Sequence, residues 1–179
     1  MKDALDVHRF LLAAEIPHEV VRLPRLVLSA DEIPEVLDLP PERCVAVRLY
    51  QADDGLAAVL VRAGDQPHPG AVLSALGARS LRSAPRDVVN AATDFAAALV
   101  SPALLPADIP VLADACIGHA EVVYAATGDG GTALGIPTRW LLTVSRARVA
   151  ELCGPEHPTI DLDDLDADAD ELLGQRHRG

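Results

Sequence analysis

Arg43-Cys-Val-Ala-Val-Arg-Leu-Tyr50, Asp53-Asp-Gly55 and Leu56-Ala-Ala-Val-Leu-Val61 make up the stretch on which the fold turns. The outer runs are rich in β-branched and aliphatic residues, and Asp-Asp-Gly supplies side chains that tolerate a tight turn. The stretch therefore predicts a strand, a hairpin turn and a return strand. No other segment carries so strong a hairpin signal.

The elements around this hairpin are mixed. Residues 3–15 read as an amphipathic helix with Asp3 as N-cap and Leu5, Phe10, Leu11, Leu12 and Ala14 as its apolar side, ended by Pro17. Glu19–Leu23 reads as a short strand. Ser29-Ala-Asp-Glu32 has the capping-box pattern and should open a short helix running to about Leu37. After the hairpin, Pro69–Leu76 reads as a helix stopped by Gly77, and Ser83–Ala92 as another, with Ser83 as cap and Pro85 in its first turn. Strands are expected at Ala97–Val100, Pro110–Leu112 and Glu121–Ala125, and a last core helix at Thr143–Leu152. Strands are grouped and do not alternate strictly with helices. That order favours an α+β fold with a mixed, curled, barrel-like sheet flanked by helices over a doubly wound parallel sheet. No repeat and no linker divides the chain.

Composition fits one such domain. The chain has 179 residues, half of them hydrophobic, with two Phe, two Tyr and one Trp, so the core must be aliphatic. The apolar stretch from Ala91 to Leu105 is broken by Thr93, Asp94, Ser101 and Pro102 and falls short of the ~20 residues of a membrane span. The start of the chain lacks a basic segment followed by an apolar one. Cys44, Cys116 and Cys153 are odd in number and widely spaced, which suits neither a disulfide framework nor a zinc site. A cytoplasmic protein with free thiols and no metal is expected.

The net charge of −12 is unevenly spread. Eight acids lie between Glu156 and Glu171 with no base among them, whereas residues 1–155 hold 19 acids against 13 bases. Residues 1–155 are thus expected to form the folded domain, and 156–179 an acidic, solvated tail. Broad binding to DNA through a basic face is disfavoured, while a local arginine cluster remains compatible with one RNA end. The cations are fourteen Arg and a single Lys, Lys2.

Leu37-Asp-Leu-Pro-Pro-Glu-Arg-Cys-Val-Ala-Val-Arg-Leu49, the hairpin after it, and Leu76-Gly-Ala-Arg79 resemble the YbaK/EbsC family. That family includes the editing insertion of bacterial prolyl-tRNA synthetases and its free-standing relatives. Ala92-Thr-Asp-Phe-Ala-Ala-Ala-Leu-Val-Ser-Pro102 stands where the family has a glycine-rich segment ending in Ser-Pro. Ile109-Pro-Val-Leu-Ala-Asp114 and Glu121-Val-Val-Tyr-Ala-Ala-Thr-Gly128 match two further family strands. The resemblance covers about Leu5 to Leu152. It implies a trans-editing hydrolase that cleaves a wrongly attached small amino acid from the 3′ end of a tRNA, with neither metal nor organic cofactor. In the family, a lysine on the first hairpin strand, backbone amides by the glycine-rich loop and the tRNA's terminal hydroxyl carry the chemistry. An aminoacyl ester is already activated, so holding its carbonyl and orienting water can suffice. Editing supplies the discrimination that a hydrophobic pocket, worth only about 1–3 kcal/mol per methylene, cannot.

Two departures stand out. The family lysine falls on Ala46, and no shift of register repairs this, because Lys2 is the only lysine. The loop glycines are replaced at Asp94, Ala98 and Leu99, while Ser101 and Pro102 persist. The implied substrate-binding set is Ala46, Thr93, Asp94, Ala98, Leu99, Ser101, Pro102 and Gly128. Arg48, two residues beyond Ala46 and so on the same strand face, is the candidate replacement cation. Three functions follow: a deacylase anchored on Arg48, a binding or regulatory module on the same scaffold, or an unrelated small-molecule hydrolase in the same pocket.

Other constellations have simpler readings. Ser101, His119 and Asp114 lack a nucleophile elbow, and a turn histidine and a strand-ending aspartate explain two of them. Thr127-Gly-Asp-Gly-Gly-Thr132 lacks the Lys-Ser/Thr ending of a phosphate loop and reads as a turn between strands. Cys44 shares a strand face with Ala46, but nothing nearby except Arg43 and Arg48 would lower its pKa.

Overall fold

The structure is a computed structural model that describes residues 1–154. The tail expected at 156–179 lies outside the described residues. The hairpin forms as expected, with β2 (Cys44–Ala52) and β3 (Gly55–Arg62) paired antiparallel along their whole length. Asp53 takes a left-handed φ of 49° in the turn, and its carboxylate accepts from the backbone N–H groups of Arg79 and Ser80. The hairpin tip is therefore stapled to the segment that follows α3 (Pro69–Leu76), the helix that Gly77 stops at φ 66°.

Among the described residues, eight strands, the hairpin's two included, form one mixed sheet. Its order is β1-β7-β6-β2-β3-β5-β8, with β4 (Leu81–Ser83) paired to β2 off this path. The remaining strands are β1 (Glu19–Arg22), β5 (Val111–Asp114), β6 (Val122–Ala126), β7 (Thr132–Pro137) and β8 (Arg148–Ala150). The sheet is curled and unclosed, with β1 and β8 as its end strands. The expected α+β class with a mixed, curled sheet holds.

β2 is the hub. On one side it pairs with β3. On the other it pairs in parallel with β6 through Cys44 and Val45, and antiparallel with β4 through Tyr50, Gln51 and Ala52. Between those two partners the edge of β2 is left open. This gap positions the site described below.

Alternate residues of β2 serve two cores. Val45, Val47 and Leu49 face an inner cluster with Leu60, Val89, Phe95, Leu134, Ile136 and Leu141. Cys44 and Ala46 face an outer one. Helix α1 (Ala4–Ala13) covers the inner cluster through Val7 and Leu11, both fully buried. Asp3 caps it, and Asp6 reaches back to complete the box. The apolar side expected for this helix is corrected. Leu5 and Leu12 are mostly exposed, because Val7 and Leu11, four apart, form the stripe that meets the sheet.

Three further expectations are corrected. Ala97–Val100 is a loop: Asp94 ends helix α4 (Arg86–Thr93) with a left-handed φ of 59°, and the Ala98 carbonyl accepts from Ala30 and not from a strand partner. Ser83 belongs to β4, and α4 starts only after Pro85. The last helix, α5, spans Thr138–Val144. Ser145 then back-bonds to the Leu141 carbonyl, Arg146 turns left-handed, and Arg148–Ala150 pairs with β5 as β8.

Candidate functional site

Cys44, Ala46, Arg48 and Tyr50 share the outward face of β2, as strand alternation requires. Ala46, where the resemblance sets the family lysine, is 1% exposed. It lies in a cluster with Leu23, Val27, Ile33, Cys44, Leu99 and Ala126. Leu99, which the resemblance sets against a loop glycine, is itself part of that cluster. The space that a long basic side chain would need is filled with hydrocarbon.

Arg48 comes next along the face, and its head group is pinned. Nη1 donates to Asp31 Oδ2 at 3.0 Å and Nη2 to Asp31 Oδ1 at 2.8 Å, a bidentate pair. Nε and Nη2 also donate to the Asp65 carbonyl at 3.3 and 2.9 Å. Of the five guanidinium donors, these bonds leave one Nη1–H without a partner among the described residues. Asp31 accepts in addition from the Gly64 N–H at 2.8 Å. It is placed by Ser29, whose hydroxyl caps the short 3-10 turn Ala30–Glu32 that leads into α2 (Ile33–Leu37). Burial alone would raise the Asp31 carboxyl, but the bonds from Arg48 and Gly64 outweigh it and hold the pKa below the usual range.

Beside Arg48 lies an open cleft of about 340 Å³. Val47, Arg48, Leu49, Gln66, Arg86 and Ala98 are among its lining residues. It sits at the gap in the β2 edge, so main chain as well as side chains face it. A second cavity, of about 400 Å³ at the hairpin tip, is lined by residues such as Leu56, Leu76 and Asp108 and contains none of the expected site residues.

The end of α4 and the loop after it supply most of the other expected residues. Thr93 is fully buried; its hydroxyl donates to the Val89 carbonyl and accepts from the Phe95 N–H. Asp94 pairs with the N-terminal ammonium at 3.2 Å. Ser101 is fully buried and caps the 3-10 turn that starts at Pro102, itself buried. Lys2, the one lysine, donates to the carbonyls of Thr93 and Leu104 and lies over the Phe95 ring.

Gly128 has φ 104°, and a Cβ there would collide with the Lys2 carbonyl and the Phe95 ring. Gly128→Ala should thus lower the unfolding free energy by about 2 kcal/mol, the scale of a strained backbone site. Urea denaturation reads this directly, and an unmoved midpoint would show that the N-terminal segment yields freely. In the same turn, Asp129 accepts from the Gly131 N–H and the Thr132 hydroxyl. The turn's own carboxylate takes donors that an anion would use.

Of the residues expected from the sequence, the cleft gathers Arg48 and Ala98. Ala46, Thr93, Leu99, Ser101 and Pro102 are buried and stand outside its lining. Asp31, Gly64 and Asp65, which fix Arg48, were not singled out from the sequence. The Ser29 cap was legible, but its second residue's partner is 17 positions away.

No hydrogen bond joins Ser101, Asp114 and His119 among the described residues. The Asp114 carboxylate accepts instead from the N–H groups of Cys116, Leu152 and Cys153. Among the described residues, no three His, Cys, Asp or Glu side chains gather as a metal site, and no helix is long and apolar enough to cross a membrane.

Cys44 is 1% exposed, and burial, against a smaller opposing effect of Arg43, pushes its thiol up to about 11. At pH 7.5 the folded protein should alkylate there at least about tenfold more slowly than an unhindered thiol. Mass spectrometry after iodoacetamide treatment checks this, and labelling at the free-thiol rate would contradict it.

The profile of the aminoacyl-tRNA editing domain matches residues 25–144, well over half of the chain. The chain belongs to the aminoacyl-tRNA editing domain family. The match spans the hairpin, the Arg48 clamp, the cleft and α5. Solved structures agree on the fold of this editing domain. One, a protein described as a candidate trans-editing enzyme for prolyl tRNA synthetase, is 23% identical with a TM-score of 0.75, covering 85% of this chain and 97% of its own. Another, from work on computational grafting of linear epitopes onto scaffold proteins, is 24% identical with the same TM-score and the same coverage of both chains. A third, described as a candidate signal transduction protein from Marinobacter aquaeolei VT8, is 21% identical with a TM-score of 0.59 and covers 94% of this chain but 35% of its own. No curated protein matches the sequence.

Proposed function

We propose that this editing domain acts in trans in the cytoplasm as an aminoacyl-tRNA deacylase, hydrolysing the ester that joins a small, wrongly attached amino acid to the 3′ end of a tRNA. The observation that carries this reading is the cleft. It opens on the lysine-bearing strand of the family, one strand repeat past Ala46, with Arg48 and Arg86 in its wall. In a chain of net charge −12, two arginines at one cleft are a local exception suited to an anionic RNA end.

The clamp from Asp31 and Asp65 holds Arg48 rigid, so its remaining Nη1–H is a preorganised donor for a substrate oxygen. Water attacks the ester carbonyl, the carbon–oxygen bond to the ribose breaks, and the amino acid and the tRNA hydroxyl are released. The loop from Thr93 to Pro102 backs the cleft, with Ala98 in its lining.

A second reading has its own support. The Arg48 charge is largely answered by Asp31, and Ala46 is sealed in hydrocarbon, which favours a binding or regulatory module without turnover. Incubation with alanyl-, cysteinyl- and seryl-tRNA carrying mismatched amino acids separates the two. Release above the buffer rate for at least one supports the deacylase. Binding without release supports the module.

A further inference from the structure

The main chain of β2 offers groups that the clamp and the packed cluster leave untouched. Along this strand, alternate residues turn their N–H and C=O toward β3, as shown by Ala63 N–H donating to the Cys44 carbonyl. Val45, Val47, Leu49 and Gln51 therefore turn theirs the other way. Val45 is used by β6, the Leu49 carbonyl accepts from Ala84, and Gln51 lies in the β4 ladder. The parallel ladder with β6 stops at Val45. No backbone or side-chain bond reaches the Val47 N–H, the Val47 C=O or the Leu49 N–H among the described residues. Both residues line the cleft.

We infer that this open edge reads the aminoacyl end of the substrate through main-chain hydrogen bonds, and so selects a free L-α-aminoacyl group with a small side chain. This deepens the deacylase reading and rests on it.

The geometry fits one residue and excludes a strand. The open run holds a single complete N–H and C=O pair, at Val47, with one further donor at Leu49. An added peptide strand would collide with the pairing at Val45 on one side and at Leu49–Ala84 on the other. A single extended amino acid presents its α-nitrogen and its carbonyl oxygen on one side, matching the two groups of Val47. The ammonium donates to the Val47 C=O, and the ester carbonyl accepts from the Val47 N–H. A backbone donor polarises that carbonyl as an oxyanion-stabilising group does.

Handedness follows from the same pairing. Residues directly opposite each other in a sheet place their side chains on the same face. The Val47 side chain faces the inner cluster, where Val89 and Ala97 complete the wall. An L-side chain points onto that shallow apolar wall, and a D-side chain points at the face of Arg48. An N-acyl group removes the charged donor and, because the paired residue runs antiparallel to β2, adds bulk toward the Leu49–Ala84 pairing.

The test uses the full chain labelled with ¹⁵N and a hydrolysis-resistant probe, 3′-(L-alanylamino)-3′-deoxyadenosine, in which an amide replaces the ester. Titration should give its largest amide shifts at Val47 and Leu49, with slowed hydrogen exchange at both. The D-alanyl and N-acetyl-L-alanyl versions should bind at least about tenfold more weakly. Shifts elsewhere that leave Val47 and Leu49 unmoved, or equal binding of all three probes, overturn the main-chain reading while the deacylase reading stands. No shift with any probe at millimolar concentration, together with no release from mischarged tRNA, overturns both.

Discussion

Ala46→Lys, which introduces a lysine where the resemblance sets the family's, lowers the unfolding free energy by about 3 kcal/mol and does not raise deacylation. The reason is local. Ala46 is 1% exposed within an aliphatic cluster that includes Leu99, Cys44 and Ala126. Adding a four-carbon stem to a filled core costs about 1–3 kcal/mol in strain. The ammonium must in addition shed its water or its proton, because desolvation disfavours the charged form.

Leu99→Gly alone leaves a cavity and is also destabilising, by about 2–5 kcal/mol. Together the two changes exchange one volume for another, so the double variant should be more stable than the sum of the singles by at least about 1 kcal/mol. A double-mutant cycle in guanidinium chloride measures this. An Ala46→Lys protein with an unchanged midpoint would show that the position opens on a pocket, contrary to the packing.

The second large effect concerns the clamp. Arg48→Ala strips the partner from a carboxylate that is 34% exposed, and Arg48 itself is 16% exposed. Breaking a fully buried pair costs about 3–5 kcal/mol, and solvent access reduces this to about 2 kcal/mol here. Arg48→Lys should recover less than half of the loss, since an ammonium cannot bridge both Asp31 oxygens and the Asp65 carbonyl.

The effect depends on pH in a stated direction. The Asp31 carboxyl has a lowered pKa in the folded protein. Its contribution is present in full above the unfolded carboxylate range, near pH 4, and is lost as pH falls through the lower folded value. The gap in stability between wild type and Arg48→Ala should therefore be widest at neutral pH and shrink in acid. Thermal melts at pH 7 and below pH 4 read it, and a constant gap would contradict the clamp.

The elements set by local chemistry were legible in the sequence. The hairpin showed in two β-branched runs about a turn, α1 in its Asp3 cap, and the end of α3 in Gly77. The elements set by distant partners were not. Arg148–Ala150 continues the apolar pattern of a helix, yet it becomes β8 because β5 offers a parallel edge. Ala-Ala-Ala-Leu-Val at 96–100 carries little local preference, and the left-handed Asp94 together with the bond from Ala30 makes it a loop.

The site divides in the same way. The resemblance that sets Ala46 against the family lysine and Leu99 against a loop glycine can be read off the chain. That these two substitutions share one packed cluster, and that Arg48 answers to an aspartate in a capping turn, needs three dimensions. The open Val47 edge had no sequence signal at all, because it depends on where two neighbouring strands stop pairing.

Editing without a lysine is the central claim, and Lys2 makes it directly testable. Its ammonium holds the Thr93 and Leu104 carbonyls and has no place in the cleft lining. Lys2→Arg yields a protein with no lysine anywhere. The initial rate of amino-acid release from mischarged alanyl-, cysteinyl- and seryl-tRNA is then compared between this variant, wild type and buffer. The account predicts release by both proteins at matching rates for at least one substrate. Release that disappears in the lysine-free protein while its fold persists, or no release from either protein, would contradict it.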